Sequence, residues 1–171
     1  MPVEQDSFMN GQDLTHRAEI DRTDSPTGRT AMTAMTATDT VNAFFEAFGA
    51  RDIDRLLALI TPDATWTIPG DPALVPWVGR RTGHDEIRVF FTELFKAAEP
   101  LAFEVQNMVE IGDQVLIPGR FAYRFQPSGL VLDDEFVMRF TVTDDGRVRA
   151  YQIFEDSLAL ARVYLGEAVS A

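Results

Sequence analysis

Residues 38–68 read TDTVNAFFEAFGARDIDRLLALITPDATWTI, and this stretch decides the fold. In its first part the apolar side chains recur at positions i, i+3, i+4 and i+7, which is the spacing of a helix with one buried face. These side chains are Val41, Phe44, Phe45 and Phe48. Thr38 or Asp39 can cap the start of this helix, and Gly49 can end it. The stretch therefore begins with a predicted amphipathic helix.

A second helix and a strand complete the stretch. Asp52 can cap this helix, and Pro62 stops it because proline cannot continue a helix. Its predicted buried side chains are Ile53, Leu56, Leu57 and Ile60. Residues 64–68, ATWTI, then read as a short β-strand.

A third helix follows the next loop. It begins at Thr82 or Gly83 and ends before Pro100. Its apolar residues again recur with the helical period and predict one buried face, formed by Ile87, Phe90, Phe91, Leu94 and Phe95.

Beyond residue 100 the apolar spacing changes to two, which is typical of β-strands. Turn signals at residues 112–113, 126–129 and 144–146 divide this part into four strands, and a short helix is expected from Ser157 to Tyr164. Three helices followed by an antiparallel meander predict an α+β fold. We expect a cone-shaped barrel, in which a curved antiparallel sheet wraps around the three N-terminal helices and leaves a cavity.

Composition limits the function classes. The chain has 171 residues, of which 46% are hydrophobic, and this suits one domain with a sizeable core. A net charge of −12 argues against nucleic acid and anionic membranes as partners. The chain has no cysteine and only two histidines, so thiolate chemistry and a histidine-rich metal site are excluded. The sequence predicts no cofactor, and the lack of a secretory signal pattern predicts a cytoplasmic protein.

Residues 1–37 differ from the rest, because their apolar residues are scattered and follow no period. We expect a flexible N-terminal arm with one short helix near Leu14 to Ile20, followed by a single domain over residues 38–171. Deleting the arm is expected to leave the thermal midpoint within about two degrees.

Both faces of the later strands carry apolar residues. On the strand from residue 114, Val115, Ile117, Phe121 and Tyr123 share one face, and Leu116 and Ala122 share the other. A sheet with two apolar faces usually covers one with helices and the other with a second subunit. We therefore expect a homodimer formed through an outer face that includes Phe121 and Tyr123.

The loop after the first strand is unusually stiff and aromatic. Residues 66–80, WTIPGDPALVPWVGR, contain both tryptophans, three of the nine prolines and one acidic residue, Asp71. Proline fixes the backbone, and tryptophan offers a flat apolar surface with one N–H donor. This pattern predicts a rigid rim around an apolar pocket, with Trp66 in its wall and Trp77 at its mouth.

Three segments, residues 44–71, 83–94 and 144–156, resemble the nuclear transport factor 2-like superfamily, and most of all its SnoaL-like and ketosteroid-isomerase-related branch. The resemblance covers Thr38 to Leu165. It implies the cone-shaped, cystatin-like fold with a ligand pocket. The superfamily includes isomerases, polyketide cyclases, epoxide hydrolases and non-catalytic binding modules, so the fold alone does not decide the function.

The resemblance also assigns roles to particular positions. The polar groups of the steroid isomerases fall on Phe44, Ile68 and Phe136, so all three are absent. The groups of the limonene epoxide hydrolases fall on Trp66, Ile68, Arg120, Ala122 and Ile153, where only the arginine is kept. Neither mechanism is therefore expected. SnoaL-type cyclases use one acidic residue, for which the candidates are Asp71, Glu135 and Glu155.

These arguments give a predicted site. Its catalytic candidates are Arg120, Tyr151 and Asp71, although Asp71 also fits a turn, and Arg120 also fits a rim position paired with a carboxylate. The predicted wall consists of Phe44, Phe48, Trp66, Ile68, Trp77, Ala122, Phe136, Met138, Phe140 and Ile153. The expected ligand is a hydrophobic, carbonyl-bearing metabolite. The protein is then an isomerase or cyclase, or alternatively a non-catalytic binding module; an epoxide hydrolase is the third alternative.

Overall fold

The computed structural model describes residues 35–167. Within them the chain forms α1 (Ala37–Gly49), α2 (Ile53–Ala58), β1 (Ile60–Ile68), β2 (Gly79–Thr82), α3 (Gly83–Ala97), β3 (Ala98–Val105), β4 (Val109–Ile111), β5 (Gln114–Phe125), β6 (Val131–Val142), β7 (Val148–Phe154) and α4 (Ser157–Leu165). Of the predicted arm, the structure describes the last three residues, and the expected helix near Leu14 lies outside the described residues.

The strands form one sheet in the order β2-β1-β7-β6-β5-β3, with β4 paired to β5. Strands β3, β5, β6 and β7 make the predicted antiparallel meander. Strand β1 joins β7 in parallel, with Trp66 opposite Tyr151. The sheet is curved and unclosed, and the helices of the N-terminal half pack on it, so the predicted α+β class is confirmed.

Helix α1 begins slightly earlier than predicted, because its cap is Thr36. The Thr36 hydroxyl accepts the N–H of Asp39 at 3.0 Å, and the Asp39 carboxylate accepts the N–H of Thr36 at 3.0 Å. This reciprocal capping box satisfies two N–H groups that a helix start otherwise leaves unpaired. One turn further on, the Thr40 hydroxyl donates to the carbonyl of Gly146 and ties α1 to the β6–β7 turn.

Strand β1 is also longer than the predicted 64–68. It begins at Ile60, so Pro62 lies inside the strand rather than stopping a helix. The register between β1 and β7 shifts between Ile60 and Thr65. Proline cannot donate to a strand ladder, and a register irregularity is where a strand tolerates it.

The two faces of β5 are the reverse of what we expected. Phe121 is buried on the concave side of the sheet, and Tyr123 lines the cavity described below, while Leu116 and Ala122 lie on the opposite, convex side. Phe121 and Tyr123 therefore cannot form an outer contact between subunits, and that part of the prediction is wrong. The predicted alternation was correct, but the helices pack against the face that carries the larger side chains. Homodimer formation itself stays a prediction.

The described helices leave no candidate for a membrane span, since none of them is both long enough and apolar enough.

Candidate functional site

A cavity of about 80 Å³ lies where the concave face of the sheet meets α1 and α3. Twelve of its eighteen lining residues in the described chain are aromatic, five are aliphatic or methionine, and one, Glu155, carries an ionisable carboxyl group. Burying an aromatic or alicyclic ligand against such walls is favourable because apolar surface leaves water on both sides. The cavity is therefore the candidate ligand site.

Eight residues of the predicted wall and catalytic set line this cavity. They are Phe44, Phe48, Trp66, Ile68, Trp77, Met138, Tyr151 and Ile153. The pairing of the strands explains their assembly, because Trp66 lies opposite Tyr151, and Met138 lies opposite Ile153. Side chains of paired residues point to the same face of a sheet.

Two predicted site residues, Arg120 and Ala122, lie outside the cavity. Both alternate with Phe121 on β5 and so belong to the convex face. The Arg120 side chain is 54% exposed and binds Asp133 on the adjacent strand, with Nε donating to Oδ1 at 2.6 Å. This hydrogen-bonded pairing raises the pKa of Arg120 further and lowers that of Asp133. The prediction that Arg120 polarises a ligand in the cavity is therefore wrong.

Asp71, the third catalytic candidate, forms a turn. Its carboxylate accepts the N–H of Ala73 at 2.9 Å, and its side chain is exposed outside the cavity. This is the local turn that Asp before proline favours. Asp71 therefore takes the structural role that the sequence left open as the alternative.

Phe136 and Phe140 are buried next to the cavity and support its walls without lining it. Phe140 packs edge-on against Phe44 and Tyr151, with ring centroids 5.1 and 4.9 Å apart. Phe136 leans over Gly119, where an added Cβ would lie only 2.4 Å from the Phe136 ring. A glycine at this position is therefore needed to seat the Phe136 ring against the sheet.

Glu155 directly follows β7 and brings a carboxyl group to the cavity wall. Burial in apolar surroundings and, to a smaller extent, the nearby negative charge of Asp134 together raise the pKa of Glu155 to about 8. Both effects disfavour the ionised form. The sequence named Glu155 as one of three possible acids; its spacing of two from Ile153 and four from Tyr151 was the signal that it shares their face.

Three further polar groups lie at the cavity. Burial raises the pKa of Tyr151 well above its ordinary value, and burial raises that of Tyr123 to about 12. Both phenols therefore stay protonated and can donate a hydrogen bond. The indole Nε1 of Trp66 is buried and finds no hydrogen-bond partner among residues 35–167. A buried donor without a partner is costly, so a ligand oxygen in reach of it would bind favourably.

The aromatic loop is fixed against the cavity by Arg81. Its guanidinium donates to the carbonyls of Trp77 at 2.8 Å, Val78 at 3.0 Å and Pro76 at 2.8 Å. Trp77 in turn stacks on Phe125, with ring centroids 5.7 Å apart and an interplanar angle of 10°. The loop thus places Trp77 in the cavity wall, where it is buried, although we expected it at the mouth.

A family model, the SnoaL-like domain, matches residues 41–151, which is well over half of the chain. The chain belongs to the SnoaL-like domain family. The match includes the cavity residues from Phe44 to Tyr151 and stops before Glu155. A search of curated proteins finds no match.

Solved structures place this SnoaL-like domain in the nuclear transport factor 2-like superfamily. An NTF2-like protein from Burkholderia xenovorans is 27% identical, with a TM-score of 0.69, over 78% of this chain and 99% of the other. A candidate isomerase from Rhodopseudomonas palustris is 16% identical, with a TM-score of 0.67, over 80% and 100%. A protein from Catenulispora acidiphila with a ketosteroid isomerase-like fold, solved with trimethylamine, is 15% identical, with a TM-score of 0.62, over 78% and 96%. At these last two identities the likeness shows the fold alone.

The candidate site combines a mostly apolar cavity with the carboxyl group of Glu155, whose pKa of about 8 lies near neutral pH. In residues 35–167 no group of three or more acidic or histidine side chains is placed to hold a metal ion. The chemistry that these side chains themselves support is hydrogen bonding to a ligand oxygen and proton transfer to or from a ligand carbon.

Proposed function

We propose that this SnoaL-like protein binds a hydrophobic, carbonyl-bearing small molecule in its cavity and transfers a proton within it, as an isomerase or a polyketide-cyclase-type enzyme does. The observation that carries the proposal is Glu155, whose carboxyl group lines an otherwise apolar cavity and has a pKa of about 8. A base or acid acts best when its pKa lies near the working pH.

The proposed mechanism uses a carboxylate that transfers the proton and donors that form hydrogen bonds to the ligand oxygen. Ionised Glu155 removes a proton from the carbon next to the carbonyl group and returns it, as the protonated acid, at another carbon. The negative charge that develops on the carbonyl oxygen needs a donor. We assign this role to Tyr151, because its side chain lines the cavity and burial keeps its hydroxyl protonated. Trp66 Nε1 is a second donor without a protein partner among the described residues.

A non-catalytic binding module is the second candidate, and one observation favours it. Among residues 35–167, the pKa shift of Glu155 comes from burial and from the charge of Asp134, and neither a hydrogen bond nor a positively charged group contributes to it. A catalytic base is usually oriented by a third group. In the binding module, protonated Glu155 would only donate a hydrogen bond to the ligand. The epoxide hydrolase alternative loses its support, since Arg120 lies outside the cavity and Glu155 supplies the one carboxyl group among the described residues that line it.

The test measures proton exchange, which needs no knowledge of the natural substrate. Ketones that contain a benzene ring, such as 1-indanone and 2-tetralone, are incubated in D₂O with the protein, and deuterium uptake next to the carbonyl group is followed by NMR. We expect the wild type to accelerate uptake with a pH midpoint near 8, and Glu155→Gln to lose roughly a hundredfold or more of this rate.

Glu135→Gln is the matched control, because it is the same substitution at a residue that is exposed on the convex side of β6, away from the cavity. It should exchange protons as the wild type does. Ketone binding without accelerated exchange in the wild type identifies the binding module. Equal exchange rates for wild type and Glu155→Gln contradict the proposed role of Glu155.

A further inference from the structure

A second cleft adjoins the aromatic cavity. It has a volume of about 160 Å³ and lies where the end of α1 and the end of α3 meet β3. Five side chains line both spaces: Phe45, Phe48, Leu94, Phe103 and Tyr123. The two spaces therefore share a wall formed by these five residues. The aromatic cavity alone, at about 80 Å³, is smaller than the 300–1,000 Å³ typical of ligand pockets, so a ligand longer than one ring needs the cleft as well.

Arg51 gives the cleft a chemical character that the cavity lacks. It is the one residue with a charged side chain among the described residues that line the cleft. Its guanidinium donates to the carbonyl of Phe95 at 3.0 Å and to that of Ala98 at 3.4 Å, and it lies over the Phe95 ring at 5.5 Å. A guanidinium has five N–H donors, so these two bonds leave three unused.

In the described part of the chain, no carboxylate forms an ion pair with Arg51. The nearby carboxylate of Glu99 pairs with Arg124 instead. This is notable in a protein with a net charge of −12. The backbone of Arg51 also has a φ of +54°, a conformation that side-chain-bearing residues seldom adopt. Such strain persists where the surrounding structure holds the residue in place, and it concentrates at ligand sites.

Tyr123 lies at the junction of the two spaces. It lines both of them, and the positive charge of Arg51 acts on its hydroxyl, favouring the ionised form against the effect of burial. The phenol and the guanidinium thus belong to residues of the same cleft, and both groups are hydrogen-bond donors. Charge-assisted hydrogen bonds of this kind select carboxylates, because the planar guanidinium matches the two oxygens.

We infer that the cleft and the cavity are one bipartite ligand site, in which the aromatic cavity holds the apolar body of the ligand and the cleft holds a carboxylate arm against Arg51. This inference rests on the proposed ligand binding in the cavity, and it names the ligand class more closely. The ligand is a cyclic or aromatic compound with an acidic side chain. Arg51 is a specificity-determining residue, and it takes no part in proton transfer.

The test uses two probes that differ in one group, 4-phenylbutyrate and 4-phenyl-1-butanol. Quenching of Trp66 and Trp77, which both line the cavity, reports binding of either probe. We expect the wild type to bind the carboxylate at least tenfold more tightly than the alcohol. Arg51→Met should remove this preference and leave the affinity for the alcohol unchanged within a factor of two, while Arg51→Lys should retain part of the preference.

Arg55→Met is the matched control, because it removes the same charge from the neighbouring helix, where Arg55 pairs with Glu46 in solvent. It should keep the preference. If Arg51→Met does not fold, Arg51→Gly decides instead, since glycine suits the positive φ and also lacks the charge.

Three results would overturn the inference: equal preference in wild type and the Arg51 variants, an equal loss of affinity for both probes, or no carboxylate binding by the wild type. The proposed function is tested separately, because the exchange experiment with Glu155→Gln uses neutral ketones that carry no carboxylate.

Discussion

Trp66 on β1 and Tyr151 on β7 stack face to face, with ring centroids 4.1 Å apart and an interplanar angle of 18°. The two strands run parallel and place these residues opposite each other, so the stack joins the first strand of the domain to the last. Both rings line the cavity, and each side chain carries one hydrogen-bond donor. The stack thus fixes two aromatic side chains at one wall of the ligand site.

Trp66→Phe should weaken the binding of ketones more than that of hydrocarbons of the same shape. The substitution keeps an aromatic ring and removes the unpaired Nε1–H. A neutral hydrogen bond contributes about 0.5–1.5 kcal/mol, so the affinity for 1-indanone should fall roughly three- to tenfold, with little change for indane. Calorimetric titration of both ligands measures the difference. Trp77→Phe is the control, and equal losses for the two ligands would show that ring shape alone matters.

Glu155 should make the protein less stable as the pH rises. Its pKa is about 8 in the folded protein against an ordinary 4.5, so the folded state holds the proton more tightly. The resulting stabilisation is complete below about pH 4.5 and is lost as the pH rises through 8. We expect the free energy of unfolding of the wild type, relative to Glu155→Gln, to fall by roughly 2–4 kcal/mol between pH 4.5 and 9. Urea unfolding measures it, and parallel pH profiles for the two proteins would contradict the prediction.

Asp134→Asn should lower the pKa of Glu155. The Asp134 carboxylate raises this pKa through its charge, and it also accepts the N–H of Asp156 at 2.8 Å. Asparagine keeps an oxygen acceptor and removes the charge. The midpoint of the ketone exchange profile should therefore move to lower pH, as should the carboxyl resonance of Glu155 in a ¹³C NMR titration. Asp133→Asn, on the outward-facing pair with Arg120, should leave both midpoints unchanged.

Arg81→Met should loosen the aromatic loop. The substitution leaves the carbonyls of Pro76, Trp77 and Val78 without their shared donor. We expect a loss of about 2 kcal/mol in the free energy of unfolding and faster proteolysis within residues 69–78. Arg80→Met is the matched control, because Arg80 is the exposed neighbour on the same strand. Identical cleavage rates in the two variants would show that Arg81 does not hold the loop.

We propose that the convex face of the sheet forms a homodimer, with residues other than those first expected. Val137 and Phe154 lie opposite each other there and are 38% and 47% exposed. Exposed apolar neighbours on a sheet face favour association. The wild type should sediment at twice 19.1 kDa, and the double variant Val137→Glu, Phe154→Glu at 19.1 kDa. Val89→Glu, on exposed α3, is the control. A wild type that sediments as a monomer would contradict the proposal.

Much of the fold followed from the local pattern of residues. The helical spacing from Val41 to Phe48 predicted α1, and the change to a period of two predicted the meander of β3 to β7. The resemblance to SnoaL-like proteins was confirmed by the family model. Most of the predicted cavity wall, including Trp66 and Tyr151, also lies where the alternation on β1 and β7 indicated. These features depend on the spacing of residues that are close together in the chain, so they can be predicted from the sequence.

The alternation of residues predicts which side chains share a face of each strand, but the packing of the helices on the sheet selects the face that is buried. On β5 both faces are apolar, so Arg120 and Ala122 could equally have pointed inward until the helices covered the side of Phe121. The same holds for Glu155, because the pKa of a carboxyl group depends on the atoms around it in space. Other walls of its cavity come from α1, α3 and β1, far away along the chain, and burial raises the pKa of Glu155.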